Sequence, residues 1–246
     1  MKIAGFLKTS LVEWPGKIAS VIFVPGCNFR CPFCHNSHLV DRKKTKKLKN
    51  LSEKSIFEEL KKRKEFIEGV VISGGEPTLQ PDLAKFLEKC RRLNLETMIE
   101  TNGSNPESLK EILNFKFKIL NFAALDFKGP LDRRYAQVVG LKNFDPKIWI
   151  KSLKIILHSG VPFELRTTIV PGLHNKKVLG EMARQLKKIL RNEDIKKLRV
   201  NWYLQNFQPK NCLNPKFKKL KPFSKIELEE ILKVVKKVIP GVKIRS

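Results

Sequence analysis

The 246-residue chain sets 50 Lys and Arg against 24 Asp and Glu, a formal charge of +26, and is 41% hydrophobic with 16 Phe. Such a composition excludes a disordered or fibrous chain. No apolar run approaches the length needed to cross a bilayer, and Lys2, Lys8, Glu13 and Lys17 stand where a signal peptide would be apolar, so a cytoplasmic protein without a membrane partner is expected.

In chain order, β-branched and apolar runs alternate with amphipathic stretches. "IASVIFV" (18–24) predicts the first strand. A cysteine loop (25–38) and a basic loop (41–51) follow, then a helix running from Ser52, as N-cap, to Gly69, as the residue just past its end. "VVIS" (70–73) predicts the second strand, and 81–94 a helix with Pro81 at its start. Strands at 96–101, 119–127, 163–170 and 198–207 alternate with helices around 106–115, 146–158 and 175–191, and the last helix, 224–238, opens on the capping-box pattern "SKIE".

Six strand–helix units without a linker predict one α/β domain over 1–246, with parallel strands and outer helices. The candidates are an incomplete (β/α)6 TIM-like barrel, the fold expected, and an open doubly wound sheet; both place chemistry at the carboxyl ends of the strands. Those ends carry the cysteines, "GGEP" (74–77), "ETNG" (100–103), "DFKGP" (126–130), Arg166 and "QNF" (205–207).

"CNFRCPFCHN" (27–36) holds three of the five cysteines, and spacings of three and two residues let one loop aim Cys27, Cys31 and Cys34 at a common centre. Such clustering suits free thiolates in a reducing compartment better than a disulfide framework. Three thiolates on a [4Fe-4S] cluster leave one iron open to a non-protein ligand. A structural zinc would need a fourth ligand, with His35 and His38 at hand, but zinc ribbons pair two knuckles and a second knuckle is missing, so the spacing favours iron–sulfur.

Cys-x3-Cys-x2-Cys with Phe33 before the last cysteine, followed by "GGEP", resembles the signature of radical S-adenosylmethionine (SAM) enzymes. Within that superfamily "CNFRCPFCHN", "SGGEPTLQ", "ETNG" and "LDFKG" resemble the activating enzymes of glycyl-radical enzymes, and "LKTSLVEWPGKIASVIFVPGCNFRCPFCHN" resembles the activators of anaerobic ribonucleoside-triphosphate reductases. The match runs from about residue 5 to 172 and is weak over 173–246. It implies an anaerobic oxidoreductase in which one reduced [4Fe-4S] cluster cleaves SAM to a 5′-deoxyadenosyl radical, which then takes a hydrogen from a glycine of a partner enzyme. It further implies a flavodoxin or ferredoxin-like electron donor.

The resemblance also distributes roles. Gly74 and Gly75 let the backbone approach SAM, so a side chain at Gly75 is expected to block the methionyl site while leaving the cluster intact; Glu76 and Pro77 brace that turn. Phe33 and His35 are assigned to the cofactor, with His35 and His38 donating hydrogen bonds to cluster sulfide. In the resembled activases two strand-end carboxylates and a Thr hold a monovalent cation; the matching residues are Glu100, in place of the relatives' Asp, Thr101 and Asp126, with Asn102 in the same cofactor turn. Lys128, sharing a face with Asp126, is expected to be free to pair with the SAM carboxylate.

Arg166 lies in an apolar strand and needs a ligand carboxylate or ribose, or a salt bridge to Glu164 or Asp126. Phe207 stands where the activases have a histidine near adenine, and it can stack without hydrogen bonding. Cys90 reads as a small buried hydrophobe and Cys212 as exposed, and two distant cysteines without other ligands cannot hold a second cluster; His158 and His174 have no assigned role, and Trp14 is expected to pack under the cysteine loop.

The charge motivates an alternative, radical SAM chemistry on a nucleotide, deazapurine or tRNA base, and a non-enzymatic one, a zinc-stabilised nucleic-acid-binding module. However, the basic runs at 42–49, 61–64, 187–199, 216–221 and 233–237 are dispersed like solvated faces, so nucleic acid is not the favoured partner.

Overall fold

The chain opens with a strand that its hydrophobic pattern does not announce. Gly5–Ser10 (β1) runs antiparallel to Ala19–Val24 (β2), Gly5 opposite Phe23 and Ser10 opposite Ala19. Three successive residues of β1 are exposed, as on a sheet edge, whereas β2 is buried at nearly every position. The computed structural model describes residues 1–45, 47–115, 118–192 and 200–245 and divides into two compact units. The basic runs at 42–49 and 187–199 and the start of the strand expected at 198 lie partly outside the described residues.

The first unit comprises 1–28, 38–124 and 155–162. After β2 come the short helices Ser37–Val40 (α1) and Arg42–Thr45 (α2), then Glu53–Arg63 (α3), Gly69–Gly74 (β3), Leu83–Arg92 (α4), Glu96–Thr101 (β4), Pro106–Leu113 (α5) and the start of Phe122–Asp126 (β5). β2, β3 and β4 are parallel, with Ala19 opposite Gly69, Val24 opposite Gly74 and Ile72 opposite Ile99. Continuous Val and Ile runs permit this because helices cover such strands. α5 starts where Asn105 caps it, its Oδ1 accepting from the Ser108 N–H, with Pro106 in the first turn.

Two expectations fail here for one reason. α3 ends at Arg63, and Gly69 is not its terminator but the first residue of β3. A Cβ on Gly69 would lie 2.7 Å from the Trp14 ring and 2.9 Å from the Glu96 carbonyl. Trp14, 3% exposed, therefore does not pack under the cysteine loop; it fills the space at the amino-terminal ends of β2 and β3 with Ala19, Val21, Val71, Met98 and Ala124. The cysteine loop leaves the opposite end of β2, after Val24.

The second unit comprises 29–37, 125–154 and 163–246. It holds Arg134–Val138 (α6), most of Pro146–Ser159 (α7), Phe163–Ile169 (β6), Lys176–Asn192 (α8), Asn201–Asn206 (β7), Lys225–Lys236 (α9) and Val242–Arg245 (β8), the last not expected from the sequence. β6, β7 and β8 are parallel, with Glu164 opposite Asn201 and Trp202 opposite Val242. One face of these strands buries Leu165, Trp202, Leu204 and Val242, and the alternate positions carry Glu164, Arg166, Tyr203 and Arg245. The capping box at Ser224 and Glu227 forms as expected. Parallel strands with intervening helices make the α/β fold that the sequence predicts. Among the described residues no helix is long and apolar enough to cross a membrane.

Candidate functional site

In the first unit the turn after β3 is locked to the loop after β2. The Gly75 N–H donates to the Val24 carbonyl at 2.9 Å and the Glu76 N–H to the Gly26 carbonyl at 2.8 Å. Gly74 has φ +117°, and a Cβ on Gly75 would lie 1.9 Å from the Gly26 oxygen. Gly75 is thus required by the backbone immediately before Cys27. A side chain there would press on the backbone before Cys27, which argues against the expectation that it would block the methionyl site and leave the cluster intact.

Glu76 is fully buried, and donors fill its carboxylate: the Thr78 N–H at 3.1 Å, the Thr78 and Thr101 hydroxyls at 2.6 and 2.7 Å, and the Asn102 N–H at 2.7 Å. Burial pushes its pKa above the ordinary carboxyl range while these donors pull it back. Its work is to tie the turns after β3 and β4 together.

Glu100 and Thr101, neighbours in a strand, face opposite ways. The Ser73 hydroxyl donates to Glu100 at 2.5 Å, whereas the Thr101 hydroxyl turns to Glu76. The Thr101 side chain is therefore not aimed with Glu100 as the expected cation set required.

Asn102, 4% exposed, places its Nδ2 3.7 Å from the Cys27 Sγ and 3.1 Å from the Asn28 Oδ1. Its Oδ1 accepts from the Ser104 N–H at 2.8 Å.

In the second unit the Lys128 Nζ meets the Asp126 Oδ2 at 2.8 Å. Burial alone would lower the Lys128 pKa, but Asp126 and Cys31 outweigh it and hold the ammonium above its usual range. Lys128 is not free, contrary to expectation. Burial pushes the Cys34 thiol up, against the pull of Lys128. Both strand-end carbonyls are held in place: Trp149 Nε1 donates to that of Asp126 at 2.7 Å, and His174 Nε2 lies 3.0 Å from that of Lys128.

His174 accepts the Val170 N–H at Nδ1, which makes Nε2 the protonated nitrogen, and burial lowers its pKa to about 4. No local signal marks His174, because "PGLHN" looks like any turn and only the fold brings it to Lys128.

The cysteine loop within this unit is clamped by α6 and the turn after it. The Arg30 N–H donates to the Val139 carbonyl at 2.8 Å, a Cβ on Gly140 would lie 2.1 Å from the Arg30 oxygen, and the Phe144 ring meets both Phe29 and Tyr135. Phe33 is buried and His35 exposed; His38, in the first unit, is also exposed.

Arg166 takes the salt-bridge alternative: its Nε lies 2.5 Å from Glu164, which Arg245 also grips with both Nη atoms at 2.7 and 2.8 Å. Phe207 is 1% exposed, its N–H bonded to the Ile169 carbonyl. Cys212 is not exposed but 5% accessible, because the Pro-rich segment folds back so that the Asn214 N–H reaches the Pro32 carbonyl. Cys90 is fully buried in the first unit, as expected, and His158 lies in the last turn of α7.

A family model described as the radical SAM superfamily matches residues 21–186. The chain belongs to the radical SAM superfamily. A Methanocaldococcus jannaschii protein provisionally described as a glycyl-radical enzyme activating enzyme is 32% identical over 99% of this chain and 95% of its own length. The pyruvate formate-lyase-activating enzyme of Clostridium pasteurianum is 33% identical over 74% of this chain and 73% of its own. Among solved structures, Streptococcus suis SuiB bound to S-adenosylmethionine superposes on 92% of this chain with a TM-score of 0.63 at 19% identity. This chain spans about half of SuiB, 52% of its length, so that likeness shows the fold alone.

The protein is a radical SAM enzyme homologous to glycyl-radical-enzyme activating enzymes. The superfamily implies a [4Fe-4S] cluster and SAM. Among the described residues no preformed group of three His, Cys, Asp or Glu side chains is arranged as a metal site. The donor chemistry nonetheless suits the cluster: Cys27, Cys31 and Cys34 are thiols engaged in no disulfide and closely spaced in sequence, with an amide donor already beside Cys27.

Proposed function

We propose that this radical SAM enzyme is an activase that installs a glycyl radical on a partner enzyme, an anaerobic ribonucleoside-triphosphate reductase being the candidate. The observation that carries this reading is the 32% identity with the Methanocaldococcus jannaschii protein over nearly the whole of both chains. The identity with pyruvate formate-lyase-activating enzymes supports it.

Cys27, Cys31 and Cys34 are the proposed cluster ligands. When bound, the cluster and SAM supply a one-electron reductive cleavage that yields a 5′-deoxyadenosyl radical able to take hydrogen from a glycine Cα.

The chain's own residues bind and orient. In the first unit the turn at Gly74 and Gly75 would offer backbone carbonyls to the methionyl end of SAM, the N–H groups of Gly75 and Glu76 being donated to Val24 and Gly26, and Glu76 keeps that turn rigid from behind. In the second unit Lys128 can exchange Asp126 for the SAM carboxylate, while Trp149 and His174 hold the backbone that carries both side chains. The formal charge of +26 suits an acidic protein as electron donor or substrate.

The test is anaerobic incubation with SAM, dithionite and an anaerobic ribonucleoside-triphosphate reductase from the same organism, read by electron paramagnetic resonance. A glycyl-radical signal is expected. SAM cleavage without that signal overturns the activase reading and leaves the superfamily assignment standing.

A further inference from the structure

We propose that Asn102 is a positioning residue that raises the reduction potential of the cluster through an N–H···S bond to Cys27. The proposal rests on the reading of Cys27 as a cluster ligand.

The amide of Asn102 can point only one way. Its Oδ1 accepts the Ser104 N–H at 2.8 Å, so its NH2 group must face the other direction, where it meets the Asn28 Oδ1 at 3.1 Å and the Cys27 Sγ at 3.7 Å. Sulfur's larger radius makes that separation suitable for an N–H···S bond. Asn28 closes the ring by donating from its own Nδ2 to the Ser104 hydroxyl at 2.7 Å, and the Asn102 N–H is anchored on Glu76. A side chain held at both ends and 4% exposed cannot swing away.

One electron added to a cluster places more negative charge on its thiolate sulfurs. A fixed donor therefore binds the reduced state more strongly than the oxidised one and shifts the potential upward. The electron for SAM cleavage comes from the external donor, so Asn102 determines how readily the cluster accepts it.

The experiment is a reductive titration of the reconstituted holoenzyme, monitored by electron paramagnetic resonance without SAM or any partner enzyme. Asn102→Ala removes the donor and is expected to lower the ratio of reduced to oxidised cluster at a fixed potential about tenfold, which is about 59 mV for a one-electron couple. Asn102→Asp keeps the acceptor for Ser104 but places a carboxylate beside the sulfur, and is expected to shift the midpoint further negative.

Identical midpoints in wild type and both variants, at equal iron and sulfide content, overturn the proposal. So does loss of the cluster from both variants, which would give Asn102 a purely structural role. A wild-type enzyme that titrates normally but gives no glycyl radical leaves this proposal standing and removes only the activase reading.

Discussion

The Glu76 carboxylate accepts the Asn102 N–H at 2.7 Å and, at its other oxygen, the hydroxyls of Thr78 and Thr101. A fully buried acid is thus used as a strut between two turns. Glu76→Gln keeps the shape but replaces one acceptor oxygen with a donor NH2, leaving a buried N–H or O–H without an acceptor. The expected loss is about 2 kcal/mol in denaturant unfolding. An unfolding midpoint equal to wild type would show that the strut carries no stability.

Gly75→Ala places a methyl group at 1.9 Å from the Gly26 oxygen, a contact that only backbone movement can relieve. The hydrogen bonds from Gly75 to Val24 and from Glu76 to Gly26 must open, at an expected cost of about 3 kcal/mol or more. Because Gly26 precedes Cys27, iron content should fall together with SAM affinity. Full iron content with weakened SAM binding alone would favour a simple steric block of the ligand.

Lys128 and Asp126 should respond asymmetrically. Asp126→Asn leaves the more enclosed ammonium without its counter-charge, whereas Lys128→Met replaces the charge with an apolar chain of similar length. Asp126→Asn is expected to destabilise by about 2 kcal/mol, discounted for the partial exposure of the carboxylate, and Lys128→Met by less than half of that. Lys128→Met should raise the KM for SAM, whereas Asp126→Asn, which frees the ammonium for the SAM carboxylate, should not. Equal unfolding free energies for the two variants would contradict the asymmetry.

His174 makes stability pH-dependent. Its folded pKa is lowered to about 4 from an ordinary 6.5. Between those values the unfolded chain binds a proton that the folded chain does not, so stability is complete above about pH 6.5 and falls as the pH drops towards 4. The full span is worth up to about 3 kcal/mol. Subtracting the unfolding free energies of a His174→Gln variant from those of wild type across pH 4–7 should isolate this slope, and a difference that stays flat would contradict it.

Local signals carried much of the reading. The cysteine spacing, "GGEP" and the alternation of apolar strands with amphipathic helices were legible because each depends on neighbours in sequence: ligand reach along one loop, φ above zero at Gly74, and burial of both strand faces. The capping box at Ser224 was legible for the same reason. β1 escaped because an edge strand exposes much of itself and shows no apolar run, and β8 because four residues are too few for a period to register.

The sequence by itself determined the superfamily, the fold class and the residues from which a cluster site could be built, since these follow from residue type and spacing. Only the tertiary structure decided what each of those residues touches. It turned Gly69 from a helix terminator into a seat for Trp14, gave Gly75 to the Gly26 backbone, committed Lys128 to Asp126 and Arg166 to Glu164, and brought Asn102 to Cys27. The reason is physical: hydrogen bonds and close packing between residues far apart in sequence depend on where the strands place them, and no local pattern records that position.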